Sequence, residues 1–576
     1  MRFTTFLISI LLTFSSFSTY LSAQDPLPKW MTEEEKAIYQ EYLENLPQPK
    51  STAPPANPPR TPGEFEEAMG VIITWAAYSS ELREIVRYAK TAVTVFIITN
   101  NVGGVQNFLV NGGVSLDNIF FIQAPFNSVW VRDFGPQSTY LDGTDELAFI
   151  DWNYNRPRPQ DNQIPAFMAD YLDLPIHQMA YGSTLLTATG GNFMTDGHGT
   201  GFSSKLILSE NASLTEEQID QIKYEYKGIH TYIKMDELPY DNISHLDMHM
   251  KLLDEETLLV GEFPEGVSDG PYIEANLAYL LTNYNTCYDR YYNVVRVPMA
   301  PSPQGNYPPN AHYRTYTNSL IINNVVLVPT YGSYLDAEAL AIYEAAMPGY
   351  QIVGINMNDV IPASGAIHCI TREIAATDPI LIAHAPIRQE DIGDEQEEVE
   401  IKAYVSNQAG IENVQLFWTT DLDNGFIPLD MVLENDTFHA HIPAKELYTD
   451  IHYYISATSS NEKTITKPLV APDGYYSFSI KEQDQETTIQ DIEPTLRFNV
   501  FPNPMTDHIN ISVSPQTDHL NIKITDMHAR TILRDVIPPS DHEILETYQL
   551  HDLPAGIYFL NLSNQHESTT HKIIIQ

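Results

Sequence analysis

The chain has 576 residues, too many for one hydrophobic core, and 43% of them are hydrophobic, enough for ordinary globular folding. Its formal charge is −44, from 75 acids and 31 bases. That balance excludes nucleic acid as the main partner, because phosphate backbones demand a basic face; it suits cationic ligands, and it equally serves to keep an exported protein soluble.

Met1-Arg2 is a short basic start, Phe6 to Phe14 is mostly apolar, and Leu21-Ser22-Ala23 precedes Gln24. Residues 1–23 therefore read as a signal peptide. The apolar run is shorter than a span of about 20 residues and is followed by Ser15, Ser16, Ser18 and Thr19. No later segment is apolar enough to cross a bilayer, so the expected product is exported, soluble or surface-bound, with no transmembrane span. Residues 24–59 form a proline-rich leader or prosegment, in which Thr32-Glu33-Glu34-Glu35 is a capping box opening a short helix toward Leu43.

From 60 to 385 strands alternate with helices. Val71 to Trp75, Val93 to Thr99, Ile119 to Ile122 and Leu147 to Asp151 read as strands; Glu81 to Ala89 reads as a helix with Leu82, Ile85, Val86 and Ala89 on one face. Strands return at Thr257 to Glu262, Val325 to Val328 and Gln351 to Ile355. The texture is that of an α/β domain with chemistry-bearing loops. Residues 386–481 begin with the acidic stretch Asp391 to Glu400. Short strands follow at Val399 to Val405, Val414 to Thr419, Thr437 to Ile442, His452 to Ser456 and Tyr475 to Ile480. This pattern predicts an all-β immunoglobulin-like sandwich without the antibody-type cysteine pair. Residues 482–497 are a polar linker, and 498–576 are a further small β domain.

Four segments of the α/β region concentrate unusual polar residues. Trp130-Val131-Arg132-Asp133-Phe134-Gly135-Pro136 sets a carboxylate beside an indole, a receptor for a planar cation and equally a plain turn. Gly190-Gly191-Asn192 lets a backbone approach a ligand, while Asp196-Gly197 is a hairpin turn. His245-Leu246-Asp247-Met248-His249, read as a strand, puts His245, Asp247 and His249 on one face. No further ligand cluster accompanies them, so an acid/base with a charged neighbour is preferred to a metal site. Cys369, one of only two cysteines, follows small residues and His368. It could be a buried apolar thiol or pair with Cys287, but its neighbours favour a free nucleophile. A thiol, a histidine and two aspartates fit attack on a guanidinium: the carboxylates grip its nitrogens, the thiolate attacks its carbon, and the histidine protonates ammonia and then activates water.

Those four segments, in that order, resemble the agmatine deiminase and bacterial (Porphyromonas-type) peptidylarginine deiminase family over about residues 60–380. The resemblance implies a five-bladed ββαβ (pentein) propeller without an essential cofactor or metal. It implies Cys369 as nucleophile, His245 as acid/base, Asp133 and Asp247 as guanidinium clamps, Asn318 as a further site position, and Trp130 as a pocket wall, with Gly191, Asn192 and His368 beside the substrate. Asn153-Tyr154-Asn155-Arg156-Pro157-Arg158-Pro159 could be a solvated basic loop. It also resembles the loop with which the secreted peptidyl enzymes hold the carboxylate of a C-terminal arginine, which assigns Arg156 and Arg158 to substrate binding. Agmatine would bring an ammonium that two arginines repel. Two positions depart from the family pattern: Ser364, where a glycine is usual, and Asn242, where the peptidyl branch has an aromatic residue. At the other end, Phe498-Asn499-Val500-Phe501-Pro502-Asn503-Pro504 and Gly556-Ile557-Tyr558 resemble the C-terminal sorting domain of type IX secretion, implying that machinery as a partner. The expected function is a secreted deiminase turning arginine, preferably C-terminal in arginine-containing peptides, into citrulline and ammonia. The alternatives are action on small guanidines, agmatine or free arginine, and a silent surface binding protein.

Overall fold

In a computed structural model, the structure describes residues 26–46, 52–141, 146–388, 398–443, 449–480 and most of 498–575 in short runs. The signal-peptide region, the 482–497 linker and most of the acidic stretch after Arg388 lie outside the described residues. The chain divides into two compact units, Met1–Ile480 and Lys481–Gln576.

The first unit is built on one motif used five times: an antiparallel strand pair, then a helix that leads to a third, parallel strand. In the second sheet Gln137–Leu141 pairs antiparallel with Glu146–Asp151, and helix Ile164–Leu172 leads to the parallel strand Ile176–Gln178. The third joins Met194–Thr195, Thr200–Ser204 and Thr231–Met235 around helix Glu216–Lys227. The fourth joins Met250–Leu252, Thr257–Glu262 and Asn293–Pro298 around helix Gly270–Asn283. The fifth joins Leu320–Ile322, Val325–Thr330 and Gln351–Asn356 around helix Asp336–Ala346. The first sheet takes its antiparallel strand from the far end of the sequence: Arg372–Ala375 pairs with Ala68–Thr74, which runs parallel to Thr94–Thr99 and onward to Ile119–Gln123.

The local sequence accounts for these elements. The parallel strands carry unbroken apolar runs such as Val71-Ile72-Ile73 and Val325-Val326-Leu327-Val328 because both their faces are covered. Helix Ser79–Ala92 buries Leu82, Ile85, Val86 and Ala89, the spacing of one helical face. The core of this region is contiguous across all five sheets.

Two readings are corrected. Residues 245–249 are not a strand: Leu246–Met248 is a 3₁₀ turn ahead of Met250–Leu252, so His245, Asp247 and His249 do not alternate along one strand face. Asp133 lies in a one-turn helix, Val131–Phe134, rather than in a plain turn.

Between Leu381 and Ile480 two sheets face each other. One orders Leu381–Ala383, Glu398–Ser406, Thr437–Pro443 and Val432–Glu434; the other is five-stranded and centred on Thr449–Ser459. Alternate residues of these strands are buried, and Ile401, Leu416, Tyr453 and Ile455 meet in a separate core. Lys463 reaches Glu67 at 2.6 Å, tying this region to the first sheet. The second unit holds a three-stranded and a four-stranded antiparallel sheet. Among the described residues no helix is long and apolar enough to cross a membrane.

Candidate active site

Each of the five sheets is entered by an antiparallel strand, and the chain just ahead of that strand carries a residue of interest. Asp133 precedes Gln137, Gly191 precedes Met194, Asp247 precedes Met250, Asn318 precedes Leu320 and Cys369 precedes Arg372, always by two to four residues. The repeated architecture therefore delivers residues far apart in sequence to equivalent positions.

Cys369 lies in the 3₁₀ turn His368–Ile370 and is fully buried. Asn318 Nδ2 donates to its Sγ at 3.2 Å, and Asn318 Oδ1 accepts from the amides of Ala366 and Cys369 at 3.1 and 3.4 Å. Asp247 Oδ2 stands 3.6 Å from the sulfur. Burial pushes the Cys369 thiol up to about 12, with Asp247 adding to the rise. Both cysteines are free.

His245 is buried, with Nδ1 3.6 Å from Asp133 Oδ1 and neither ring nitrogen hydrogen-bonded among the described residues. Burial lowers it to about 3, helped by a nearby ammonium, so it is neutral near pH 7. Burial opposes ionisation of Asp247, but Lys29 and the His368 hydrogen bond outweigh it and hold this carboxyl well below the usual range. Gly191 N donates to Asp133 Oδ1 at 3.3 Å. A Cβ on Gly191 would lie 2.6 Å from His245 Nδ1, 3.0 Å from Asp133 Oδ1 and 3.1 Å from Asp247 Oδ2. Three chemical groups thus converge on a bare Cα, which only glycine provides. Gly365 plays the same part at the sulfur: a Cβ there would lie 2.6 Å from the Trp130 ring and 3.1 Å from Cys369 Sγ.

A second layer stands behind Asp247. His368 bridges Asp247 Oδ2 and Glu64 Oε2, both at 2.7 Å, and Glu64 also accepts from Lys251 Nζ at 2.7 Å and Ile321 N at 2.8 Å. Ser364 has φ 66°, the left-handed conformation that glycine takes freely and other residues adopt at about 1–2 kcal/mol. That explains why a glycine is expected at this position.

The pocket holds part of the chain itself. Lys29 is fully buried, with Nζ 2.8 Å from Cys369 Sγ and 3.6 Å from Asp133 Oδ1. Burial disfavours its charge, but Asp133, Cys369 and Asp247 outweigh that and raise it above the ordinary lysine value, so it is a cation. Arg156 Nε donates to Lys29 O at 2.9 Å; Arg158 donates to Pro28 O at 2.7 Å and grips the Glu35 carboxylate with Nε at 2.7 Å and a terminal nitrogen at 3.1 Å. Trp130 Nε1 donates to Leu27 O at 2.8 Å.

Of the residues singled out from sequence, Cys369, His245, Asp133, Asp247, Asn318, Gly191 and Trp130 come together around this point, and Arg156 and Arg158 line the approach to it. The Asn192 and His368 side chains are engaged elsewhere: Asn192 Oδ1 accepts from Ser204 N at 2.9 Å, and His368 is held between two carboxylates. Lys29, Glu35, Glu64 and Lys251 were not anticipated as site residues, and Gly365 entered only as one of the small residues ahead of Cys369. Of the four, Glu35 carried a local signal, as the third helical residue of a capping box that does form.

A family model described as Porphyromonas-type peptidyl-arginine deiminase matches residues 60–374, more than half of the chain. A second, described as a secretion system C-terminal sorting domain, matches residues 499–576 and marks the chain for type IX secretion or attachment at the outer-membrane surface. Similar curated proteins include two provisionally named agmatine deiminases. One, from Yersinia pseudotuberculosis, is 26% identical over 45% of this chain and 78% of its own. The other, from Vibrio parahaemolyticus, is 24% identical over 57% of this chain and 95% of its own. Among solved structures, the agmatine deiminase of Enterococcus faecalis superposes with a TM-score of 0.50 at 20% identity, covering 57% of this chain and 99% of that one, a likeness of fold.

Proposed function

The chain belongs to the Porphyromonas-type peptidyl-arginine deiminase family, hydrolases of carbon–nitrogen bonds in linear amidines, and from that premise we propose that it converts peptidyl arginine, preferably C-terminal, to citrulline and ammonia. On this reading residues 60–385 close their five repeated units into a five-bladed ββαβ propeller with the site at its centre. Residues 386–481 are an immunoglobulin-like sandwich and 498–576 the sorting domain.

One observation carries the substrate choice. Lysine Nζ and arginine Cζ are the same number of bonds from Cα, so an arginine bound like Lys29 has its electrophilic carbon where Nζ stands, 2.8 Å from Cys369 Sγ. The carboxylate of a C-terminal arginine falls at Lys29 O, on Arg156 Nε. Arg158 already grips one carboxylate in the paired geometry that guanidinium favours. Agmatine has no group for either arginine. The names of the Yersinia and Vibrio relatives favour it as the second reading.

The chemistry follows from the charges. A bound guanidinium lies between Asp133 and Asp247 and favours the thiolate against the rise that burial imposes, the direction in which Lys29 acts on this thiol. His245, neutral near pH 7, takes the thiol proton. Sulfur bonds to the guanidinium carbon, and the carbon–nitrogen bond to a terminal nitrogen breaks, with that proton leaving on ammonia. Water, deprotonated by His245, then attacks the Cys369 thiouronium; the carbon–sulfur bond breaks, leaving a ureido group and the regenerated thiol.

The test is ureido-product formation from a peptide ending in free arginine, its amidated twin and agmatine, with Cys369→Ser as control. The free-acid peptide is expected to be preferred and the Cys369→Ser chain to be folded and inactive. Turnover of agmatine alone overturns the substrate choice, and activity in Cys369→Ser overturns the mechanism.

A further inference from the structure

We propose that residues 26–44 are a tethered pseudosubstrate that keeps the enzyme latent, with the Lys29 ammonium filling the guanidinium subsite against Cys369. This rests on reading that site as a guanidinium-binding thiol site.

The leader is held as a substrate would be. The main-chain carbonyls of Leu27, Pro28 and Lys29 accept from Trp130, Arg158 and Arg156, and Lys29 N donates to Ala363 O at 3.0 Å. Its side chain is aimed into the pocket and closes it: Lys29, Cys369 and His245 are all 0% exposed. No substrate reaches the thiol while the leader is seated. Lysine also cannot react. Its nitrogen ends on a saturated carbon with no leaving group, whereas arginine at the same point offers an electrophile.

The leader is latched as well as inserted. Thr32 caps helix Glu33–Glu44, and the Glu35 carboxylate serves twice, accepting from Thr32 N at 2.9 Å and forming the paired bridge to buried Arg158. The same carboxylate therefore stabilises the helix start and fastens it to the arginine that faces the substrate's end. Being part of the chain, the plug competes at a local concentration of order millimolar, which a free peptide must exceed or outlast. The pocket opens when the leader is displaced or cut away.

The experiment uses the full-length chain with Cys287→Ser, so that Cys369 is its only thiol, with and without Glu35→Gln. Glutamine keeps the capping-box acceptor but removes the negative charge that faces Arg158. Two rates are measured by mass spectrometry: alkylation of Cys369 by iodoacetamide, and tryptic cleavage of the Lys29–Trp30 bond. Both are expected to be slow in the parent and about tenfold faster with Glu35→Gln, the loss of one charge-assisted pair. Lys29→Ala serves as a second variant, in which ureido-product formation is expected to rise. Alkylation and cleavage in the parent at the rates of Glu35→Gln overturn the proposal. A rise in both rates with no ureido product from any arginine substrate leaves the plug standing and overturns the deiminase reading instead.

Discussion

Gly191→Ala tests whether the convergence of three groups on one Cα is catalytic geometry. The new Cβ would stand 2.6 Å from His245 Nδ1, where ordinary contact begins at 3.4 Å, and also presses on Asp133 Oδ1 at 3.0 Å and Asp247 Oδ2 at 3.1 Å. The backbone at 191 is not left-handed, so the cost is steric and falls on those side chains. The imidazole must retreat by about 0.8 Å, and a misplacement of that order costs about a hundredfold in rate. Overpacking of this kind removes about 1–3 kcal/mol of stability, too little to unfold a chain with a core of this size. The assay is kcat for ureido formation from a free-acid arginine peptide in the Glu35→Gln background, alongside thermal unfolding. Gly103→Ala, in helix Val102–Asn111 with nothing within 4 Å of its Cβ, is the control and is expected to keep full activity. A Gly191→Ala enzyme with parental kcat would refute the assignment of this cluster to chemistry.

Lys29→Arg places a guanidinium carbon at the sulfur and is expected to convert the plug into a substrate, so that citrulline is found at position 29 by peptide mapping; unmodified arginine there would count against the substrate geometry. Arg156→Ala is expected to raise KM more for free-acid arginine peptides than for amidated ones, since the charge of the carboxylate is lost only in the first case, and equal effects on both would remove its carboxylate role. Asp151→Asn should stabilise the fold in a pH-dependent way. Burial raises Asp151 to about 8, and the hydrogen bond it accepts from Trp152 N at 2.7 Å survives in asparagine. The folded state therefore binds a proton that the unfolded chain releases near pH 4, and the parent loses stability as pH rises from about 4 to about 8. The Tm advantage of the variant is expected to grow across that window and level off above it; a constant advantage would show that Asp151 does not titrate there.

Much of the architecture was legible locally. Thr257–Glu262 matches its expected bounds because an apolar run between turn residues has one reading, and the Leu82, Ile85, Val86, Ala89 face specifies its helix. The strand expected at 245–249 failed for a physical reason. Alternating side chains mimic strand periodicity, but the segment is held by its neighbours: Asp241 accepts from His245 N at 3.2 Å, and the chain turns at Leu246–Met248. The longer strands between 398 and 480 were found as short strand-like runs, while the pieces Ile427–Asp430 and Val432–Glu434, largely exposed, carry too little apolar pattern to be seen.

The sequence by itself determined the chemistry available, since a thiol, a histidine and two carboxylates in ordered motifs suit one electrophile better than others. It also determined the leader helix, because a capping box is a contact between residues three apart. Only the tertiary structure decided what fills the site. Lys29 and Cys369 are 340 residues apart, and nothing around Lys29 in the chain distinguishes it from a solvated lysine. Its meaning comes from burial beside Asp133 and from carbonyls held by Arg156 and Arg158, contacts that exist only once five sheets have brought their entering strands together.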